Sequence, residues 1–215
     1  MGGRKSAQVA LIETMLWTRG EFCLLDYHLE RLRRSARFFG VPMSVGRARR
    51  ELGREVSKHM RRPLRVRLTV SPAGLVETSS APIAPGIEMW RTISLSDAPI
   101  DSSDRFLSHK TTHREHFDAE LLRITARRGC DEVIFMNERG ELTEGARSTL
   151  FIGLAGKLFT PPLECGLLPG TLRQFLLDSQ ALPLDEKVLY PSALSRADRI
   201  YVGNSVRGLM CVELI

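Results

Sequence analysis

Lysine is scarce in this chain of 215 residues. Of its 31 Lys+Arg residues only Lys5, Lys58, Lys110, Lys157 and Lys187 are lysines, and the other 26 are arginines. Long apolar runs are missing too. None approaches the ~18–20 residues that a membrane-spanning helix needs, and Glu13 interrupts the apolar stretch after Arg4 and Lys5, which argues against a secretory signal. Met1-Gly2 with Ser6 matches a myristoylation pattern, though that pattern is short and common. The four cysteines, Cys23, Cys130, Cys165 and Cys211, show no C-x-x-C spacing. They read as reduced thiols, neither a disulfide framework nor a zinc site. A soluble, cytoplasmic protein with no membrane partner is expected.

With 43% hydrophobic and 26% charged residues, the chain has an ordinary globular composition. The net charge is +6, unevenly spread. Residues 31–67 hold 13 Lys+Arg against Glu51 and Glu55, a local net of +11, so the remainder sums to −5. This excludes a uniformly basic, histone-like protein and leaves a basic face able to attract anions.

The patterning predicts an α+β fold with largely antiparallel sheets. An apolar strand, Val9 to Trp17, turns at Thr18-Arg19-Gly20 into a short strand near Phe22–Leu25. Asp26 is placed to cap a helix carrying Leu29, Leu32, Ala36 and Phe39, ended by Gly40 and Pro42. A second helix, about 45–60, follows Ser44. Strands are expected at Leu64–Val70, Leu75–Ser79 and Ile87–Leu95. Residues 96–105, polar and containing Pro99, read as a linker between a small domain, 1–100, and a larger one, 101–215. Beyond it the pattern predicts a helix at 112–128 and a strand at Glu132–Met136. Strands then follow near Glu141–Glu144, Ser148–Leu154 and Lys157–Thr160. A helix at 170–179, a strand at 187–190 and a helical turn near 191–196 lead to strands at 199–203 and 209–214.

Four segments carry residues suited to chemistry. Ser108-His109-Lys110-Thr111-Thr112 offers a lysine in an arginine-rich chain, and only lysine can form a Schiff base, because guanidinium stays protonated. On residue type alone a solvated surface lysine is the ordinary reading. Glu141-Leu142-Thr143-Glu144-Gly145 sets an acid before a glycine, which by itself also describes a strand end. Leu168-Pro169-Gly170-Thr171-Leu172 opens a helix whose first N–H groups could hold a phosphate. Gly203-Asn204-Ser205-Val206-Arg207-Gly208 is a polar interruption between two apolar strands, and equally a plain turn.

In this order the segments, with Leu11-Ile12-Glu13-Thr14-Met15 and Asp26-Tyr27-His28-Leu29-Glu30-Arg31-Leu32, resemble the class IV (fold type IV) pyridoxal-phosphate enzymes. That family includes branched-chain and D-amino-acid aminotransferases and 4-amino-4-deoxychorismate lyase. The resemblance spans essentially the whole chain and is greatest to the lyase domain found fused to aminodeoxychorismate synthase. It implies a two-domain architecture with pyridoxal 5′-phosphate as cofactor.

The resemblance also implies roles. Lys110 would bind the cofactor aldehyde and move protons, for which its amine must be largely neutral. Glu144 would face the pyridine nitrogen and keep it protonated. Arg31, the first-turn amides of Thr171 and Leu172, and Ser205 would hold the phosphate. Thr14 and His109 would line the substrate pocket, and Arg207 would meet a substrate carboxylate or serve a structural ion pair. The resemblance further implies a homodimer, with aminodeoxychorismate synthase as a possible functional partner. Two departures bear on substrate: Ser148-Thr149-Leu150 stands where relatives usually carry an Asn step, and His113 where they often carry Asn or Arg.

The implied reaction is loss of pyruvate from aminodeoxychorismate to give 4-aminobenzoate, a folate precursor. The alternative is an aminotransferase acting on branched-chain or D-amino acids, and the motifs at 106–112 and 204–208 favour the lyase. Two readings come from other classes. His109, His113 and His116 fall at i, i+4 and i+7 and would share a helical face as a metal site, but no carboxylate or cysteine completes a familiar ligand spacing. The arginines of 31–67 would suit nucleic acid, yet no aromatic residues alternate with them, and a solvated face with no specific nucleic-acid partner is expected.

Overall fold

The computed structural model describes residues 9–59, 62–83 and 89–215. The expected features at residues 1–8, the end of the second helix at 60, and positions 87 and 88 of the expected strand Ile87–Leu95 lie outside these.

Four antiparallel strands form the first sheet: β1 (Leu11–Thr18), β2 (Glu21–Phe22), β3 (Leu64–Val70) and β4 (Val76–Pro82), in the order β2-β1-β3-β4. Helices α1 (Leu25–Phe39) and α2 (Val45–Ser57) cover one face. Strand alternation explains the cover. Leu11, Met15, Leu64, Val66, Leu68 and Val70 point into the helices and join Leu29, Leu32 and Leu52 in one core. The opposite face carries Thr14, Arg65 and Arg67.

Asp26 is not the cap of α1. Leu24 takes that position in a left-handed conformation, no side chain caps the helix, and Asp26 lies in the first turn, paired with Arg49. Gly40, with φ 66°, ends α1 as expected, and the Ser44 side chain accepts from the Arg47 amide at the start of α2.

The second sheet has eight strands: β5 (Thr92–Leu95), β6 (Glu132–Met136), β7 (Leu142–Gly145), β8 (Thr149–Leu154), β9 (Lys157–Thr160), β10 (Leu184–Glu186), β11 (Arg199–Asn204) and β12 (Gly208–Leu214). They run β10-β9-β8-β11-β12-β5-β6-β7, and an added β7–β8 pairing closes six of them into a ring. Parallel pairs occur at β5–β6, β5–β12 and β9–β10; the rest are antiparallel. Helices α3 (Glu115–Arg128), α4 (Thr171–Ser179) and α5 (Pro191–Leu194) flank this sheet. This mixed α/β, two-sheet architecture is the one that the resemblance to fold type IV enzymes implies.

Several boundaries differ from the sequence pattern. The change of sheet falls before Thr92, so β5 joins the larger sheet ahead of the expected linker. Within 96–105, Ile100 is buried and bridges Asn137, its amide donating to Met136 O at 2.9 Å, so this stretch is pinned rather than free. Helix α3 starts at Glu115, because residues 110–112 are drawn into pairing with β1 instead. The strand expected at 187–190 lies earlier, at Leu184–Glu186, where it can pair in parallel with β9.

Candidate active site

The two sheets enclose a cavity of about 980 Å³ whose wall includes Thr14, Arg31, Lys110, Glu144, Thr171 and Ser205. Long-range backbone pairing places Lys110. Strand β2 covers only Trp17 and Thr18 of β1, which leaves the other half of that edge of β1 unpaired by β2. There Ile12 N donates to Lys110 O at 2.9 Å, Leu11 bridges Thr111, and Thr112 N donates to Ala10 O at 2.9 Å. Lys110 is thereby fixed to the small sheet while its side chain lines the cavity. Burial, then the nearby Arg31 and Arg114 guanidinium groups, lower its amine from 10.5 to about 8.

Glu144 stands on β7 and is buried. Its Oε1 accepts from Leu168 N at 2.9 Å, which ties it to the loop before α4. Burial raises its carboxyl from 4.5 to about 8; the Leu168 N–H and then Lys110 oppose the rise without cancelling it. A cation beside Glu144 would therefore be strongly welcomed.

Arg31 projects from α1 and is nearly fully buried. Its Nε and NH2 donate to the Glu13 carboxylate at 2.9 and 2.6 Å, and NH1 donates to Pro169 O at 3.1 Å, beside the start of α4. His28 Nδ1 lies 2.6 Å from Glu13 Oε2, and His28 Nε2 lies 3.4 Å from Thr171 Oγ1. Burial alone would raise the Glu13 carboxyl, but Arg31 and His28 outweigh it and leave the group at about 2. Neither Glu13 nor His28 was singled out by residue type. An acid inside an otherwise apolar strand was the one available signal.

Gly170 is the N-cap of helix α4, and Gln174 N donates to Gly170 O at 2.9 Å. The amides of Thr171 and Leu172 belong to the turn whose N–H groups point out of the helix. A Cβ on Gly170 would lie 2.5 Å from Thr149 Oγ1, so only glycine fits this backbone beside that hydroxyl. The Thr149 departure noted in the sequence thus forms part of the wall. Ser205 Oγ donates to Thr14 O at 3.3 Å and joins the turn after β11 to β1.

Asn204 organises that turn. Its Oδ1 accepts from Val206 N and Arg207 N, both at 3.0 Å, and its Nδ2 donates to Arg147 O at 3.1 Å. Arg207 also stacks over the Trp90 ring at 4.5 Å, so it is not held ready solely for a substrate. His109 lines the cavity but turns its Nδ1 toward Ser35 Oγ, at 3.0 Å, and stacks on Phe38. It closes a 3-10 turn at Arg105–Ser108, and α3 begins only at Glu115, so the three histidines do not share one helical face. No cluster able to hold a metal ion occurs among the described residues.

A lysine amine with its pKa lowered to about 8, a buried carboxyl and the outward N–H groups at the start of α4 thus line one cavity, and groups of these kinds fit pyridoxal phosphate. The profile of the family Amino-transferase class IV matches residues 10–215, and the chain belongs to that family. Members use pyridoxal 5′-phosphate.

Among curated relatives, a Thermotoga maritima protein named as a candidate branched-chain-amino-acid aminotransferase is 28% identical over 97% of this chain and 78% of its own length. A Schizosaccharomyces pombe protein named as a candidate aminodeoxychorismate lyase is 29% identical over 92% of this chain and 86% of its own. The crystal structure of a candidate amino-acid aminotransferase from Mesorhizobium loti is 36% identical, covers 96% of this chain and 100% of its own, and superposes with a TM-score of 0.86. Among the described residues, no helix is long and apolar enough to cross a membrane.

Proposed function

We propose that this class IV enzyme is a 4-amino-4-deoxychorismate lyase, which splits pyruvate from its substrate and leaves 4-aminobenzoate. The observation that carries the reading is Lys110 and Glu144 on the wall of one cavity, brought there from two different sheets. Lys110, Glu144, Arg31, the Thr171 and Leu172 amides, and Ser205 are the residues that would hold the cofactor. When bound, pyridoxal 5′-phosphate supplies an aldehyde for amine exchange and a ring that takes up the electron pair left behind when a proton departs.

Lys110 is suited to take the proton from C4 of the substrate, because its lowered pKa leaves part of the amine neutral near pH 8. Glu144, reluctant to carry its charge alone, gains by facing a cationic ring nitrogen. Once the C4 proton has gone, the C3–O bond breaks, pyruvate leaves as its enol form and takes up a proton at carbon, and the ring becomes aromatic. Polar groups around the cavity, among them Thr14, Ser79, Asn204 and Ser205, suit a polar substrate better than a branched aliphatic one.

The relatives' names support a second reading, an aminotransferase, in which the same residues return the proton to the cofactor side and a keto acid completes the cycle. The lyase reading carries with it a cytoplasmic homodimer supplied by an aminodeoxychorismate synthase. A paired assay tests it. Release of 4-aminobenzoate from synthase-generated aminodeoxychorismate is expected. Keto-acid formation from an amino acid and 2-oxoglutarate, with no 4-aminobenzoate, would establish the alternative.

A further inference from the structure

We infer that Glu132, an acid buried outside the cavity, is a positioning residue for the candidate phosphate cup and acts on it through the β7–β8 turn and Asn204. Glu132 opens β6 and is fully buried. Among the described residues, the buried acids Glu13, Glu55, Glu120 and Glu141 each pair with a lysine or arginine, and Glu144 lines the cavity. Glu132 does neither. Its carboxylate is hydrogen-bonded by uncharged donors alone. Oε1 accepts from Val133 N at 3.0 Å, and Oε2 accepts from Arg147 N and Ser148 Oγ, both at 2.9 Å. Burial raises its carboxyl above the ordinary 4.5, against the pull of these donors and of the Arg147 charge.

A carboxylate held in this way costs more to bury than an apolar side chain of the same shape. What it fixes is the turn at 146–148, which joins Glu144 on β7 to Thr149 on β8; those two residues pair across the hairpin. From the turn, contacts run to the site. Arg114 donates to Ala146 O at 2.7 Å, and its charge helps to lower the Lys110 amine. Asn204 Nδ2 donates to Arg147 O at 3.1 Å, so Arg147 is gripped by Glu132 at its amide and by Asn204 at its carbonyl. The same Asn204 folds its own turn by accepting from Val206 N and Arg207 N, and that turn carries Ser205.

Glycine at 145 keeps the link open. A Cβ there would lie 2.4 Å from Ser148 Oγ and 3.0 Å from Glu132 Oε2, in the space through which the serine reaches the acid. The inference rests on the cup residues proposed above and is the same for a lyase or an aminotransferase.

Glu132→Met keeps the approximate length of the side chain and removes its acceptors, whereas Glu132→Gln retains one oxygen for Arg147 N and Ser148 Oγ. Both would be compared with wild type by calorimetric titration of the full chain, freed of cofactor, with inorganic phosphate, pyridoxal 5′-phosphate and phosphate-free pyridoxal. The Met change is expected to weaken both phosphate-bearing ligands about tenfold and to leave pyridoxal within about twofold, with Gln recovering most of the loss. In an Asn204→Ala background the Met change should add little, because the route it acts by is already cut. A general loosening of the fold would instead weaken all the ligands and add to the Asn204 loss.

Unchanged phosphate affinity in a folded Met variant would overturn the inference. Equal losses for pyridoxal and its phosphate would do so too, as would losses that add in the double variant. If Asn204→Ala and Ser205→Ala themselves leave phosphate affinity at the wild-type value, the cup reading fails and the inference falls with it. Where those two weaken phosphate and Glu132→Met does not, the inference alone fails. If Glu132→Met does not fold, Ser148→Ala decides, since it removes the hydroxyl bond from the turn to Glu132. It is expected to weaken phosphate about threefold with pyridoxal unchanged, and no loss of phosphate affinity would overturn the inference.

Discussion

The carboxylate of Glu13 grips the guanidinium of Arg31 through two hydrogen bonds, of 2.9 and 2.6 Å, where β1 lies beneath α1. Both groups are buried, and His28 closes on the same carboxylate. The pair orients Arg31 so that its remaining NH1 reaches Pro169 O at the start of α4. A buried ion pair broken from one side leaves an uncompensated charge, which costs far more than the intact pair contributes.

Glu13→Ala is therefore expected to destabilise the protein by about 3–5 kcal/mol and to weaken cofactor affinity less than Arg31→Ala does, because Glu13 acts through Arg31. Glu13→Gln should cost less, because it keeps the shape. The pH dependence distinguishes the roles. Glu13 is held at about 2 against an ordinary 4.5, so its contribution is complete above about pH 4.5 and is lost as pH falls toward 2. Urea denaturation at stepped pH should show a steep acid limb in wild type that flattens in Glu13→Gln.

Glu144 gives the opposite slope. Its folded pKa of about 8 lies above the unfolded 4.5, so the folded protein binds the extra proton between those values, and stability falls as pH rises through the interval. For cofactor-free protein, Glu144→Gln should remove a drop on the order of 4 kcal/mol between pH 5 and 8. A wild type and variant that keep parallel stability curves over this range would refute the assignment.

Lys110 sets the alkaline behaviour. Its amine loses a proton near pH 8, not near 10.5, so capture of an aldehyde at this side chain should rise through pH 8 and level off above it. Borohydride reduction of the cofactor-loaded protein, followed by peptide mapping, should find the cofactor on Lys110 and nowhere else. Lys110→Arg should retain the fold, bind cofactor only reversibly and lose nearly all turnover, because guanidinium does not deprotonate.

Gly170→Ala tests the helix start. Its Cβ would press on Thr149 Oγ1, with an expected loss of about 1–3 kcal/mol and a weaker hold on inorganic phosphate or the cofactor. Adding Thr149→Ala should restore most of both, measured by thermal melts and by fluorescence titration, since it removes the atom that clashes.

Much of the frame was legible in the residues. The alternation Leu64-Val66-Leu68-Val70 announces β3, and Gly40 ends α1 where its left-handed φ is needed. Less legible were ends decided by distant partners. Residues 112–114 have helical neighbours, but the backbone of Thr112 is taken by Ala10, about a hundred residues away, before α3 can begin. Asp26 looked like a cap because Asp is a common one; the turn after β2 instead reaches α1 through Leu24 in the left-handed region, which removes Asp26 from the capping position.

The site divides in the same way. Chemistry alone marks Lys110 as a residue no arginine can replace, and motif order alone joins it to Glu144, Gly170 and Ser205. Those are properties of side-chain type and sequence spacing, which the chain carries before it folds. The tertiary structure decided what surrounds them. A two-residue β2 leaves an edge of β1 open for Lys110, burial raises Glu144 and lowers Lys110, and Arg31 is bound to Glu13. Strand register turns Arg65 and Arg67 to the cavity. Each of these depends on which distant groups meet and on how much water they exclude, quantities that exist only once the two sheets have closed on one another.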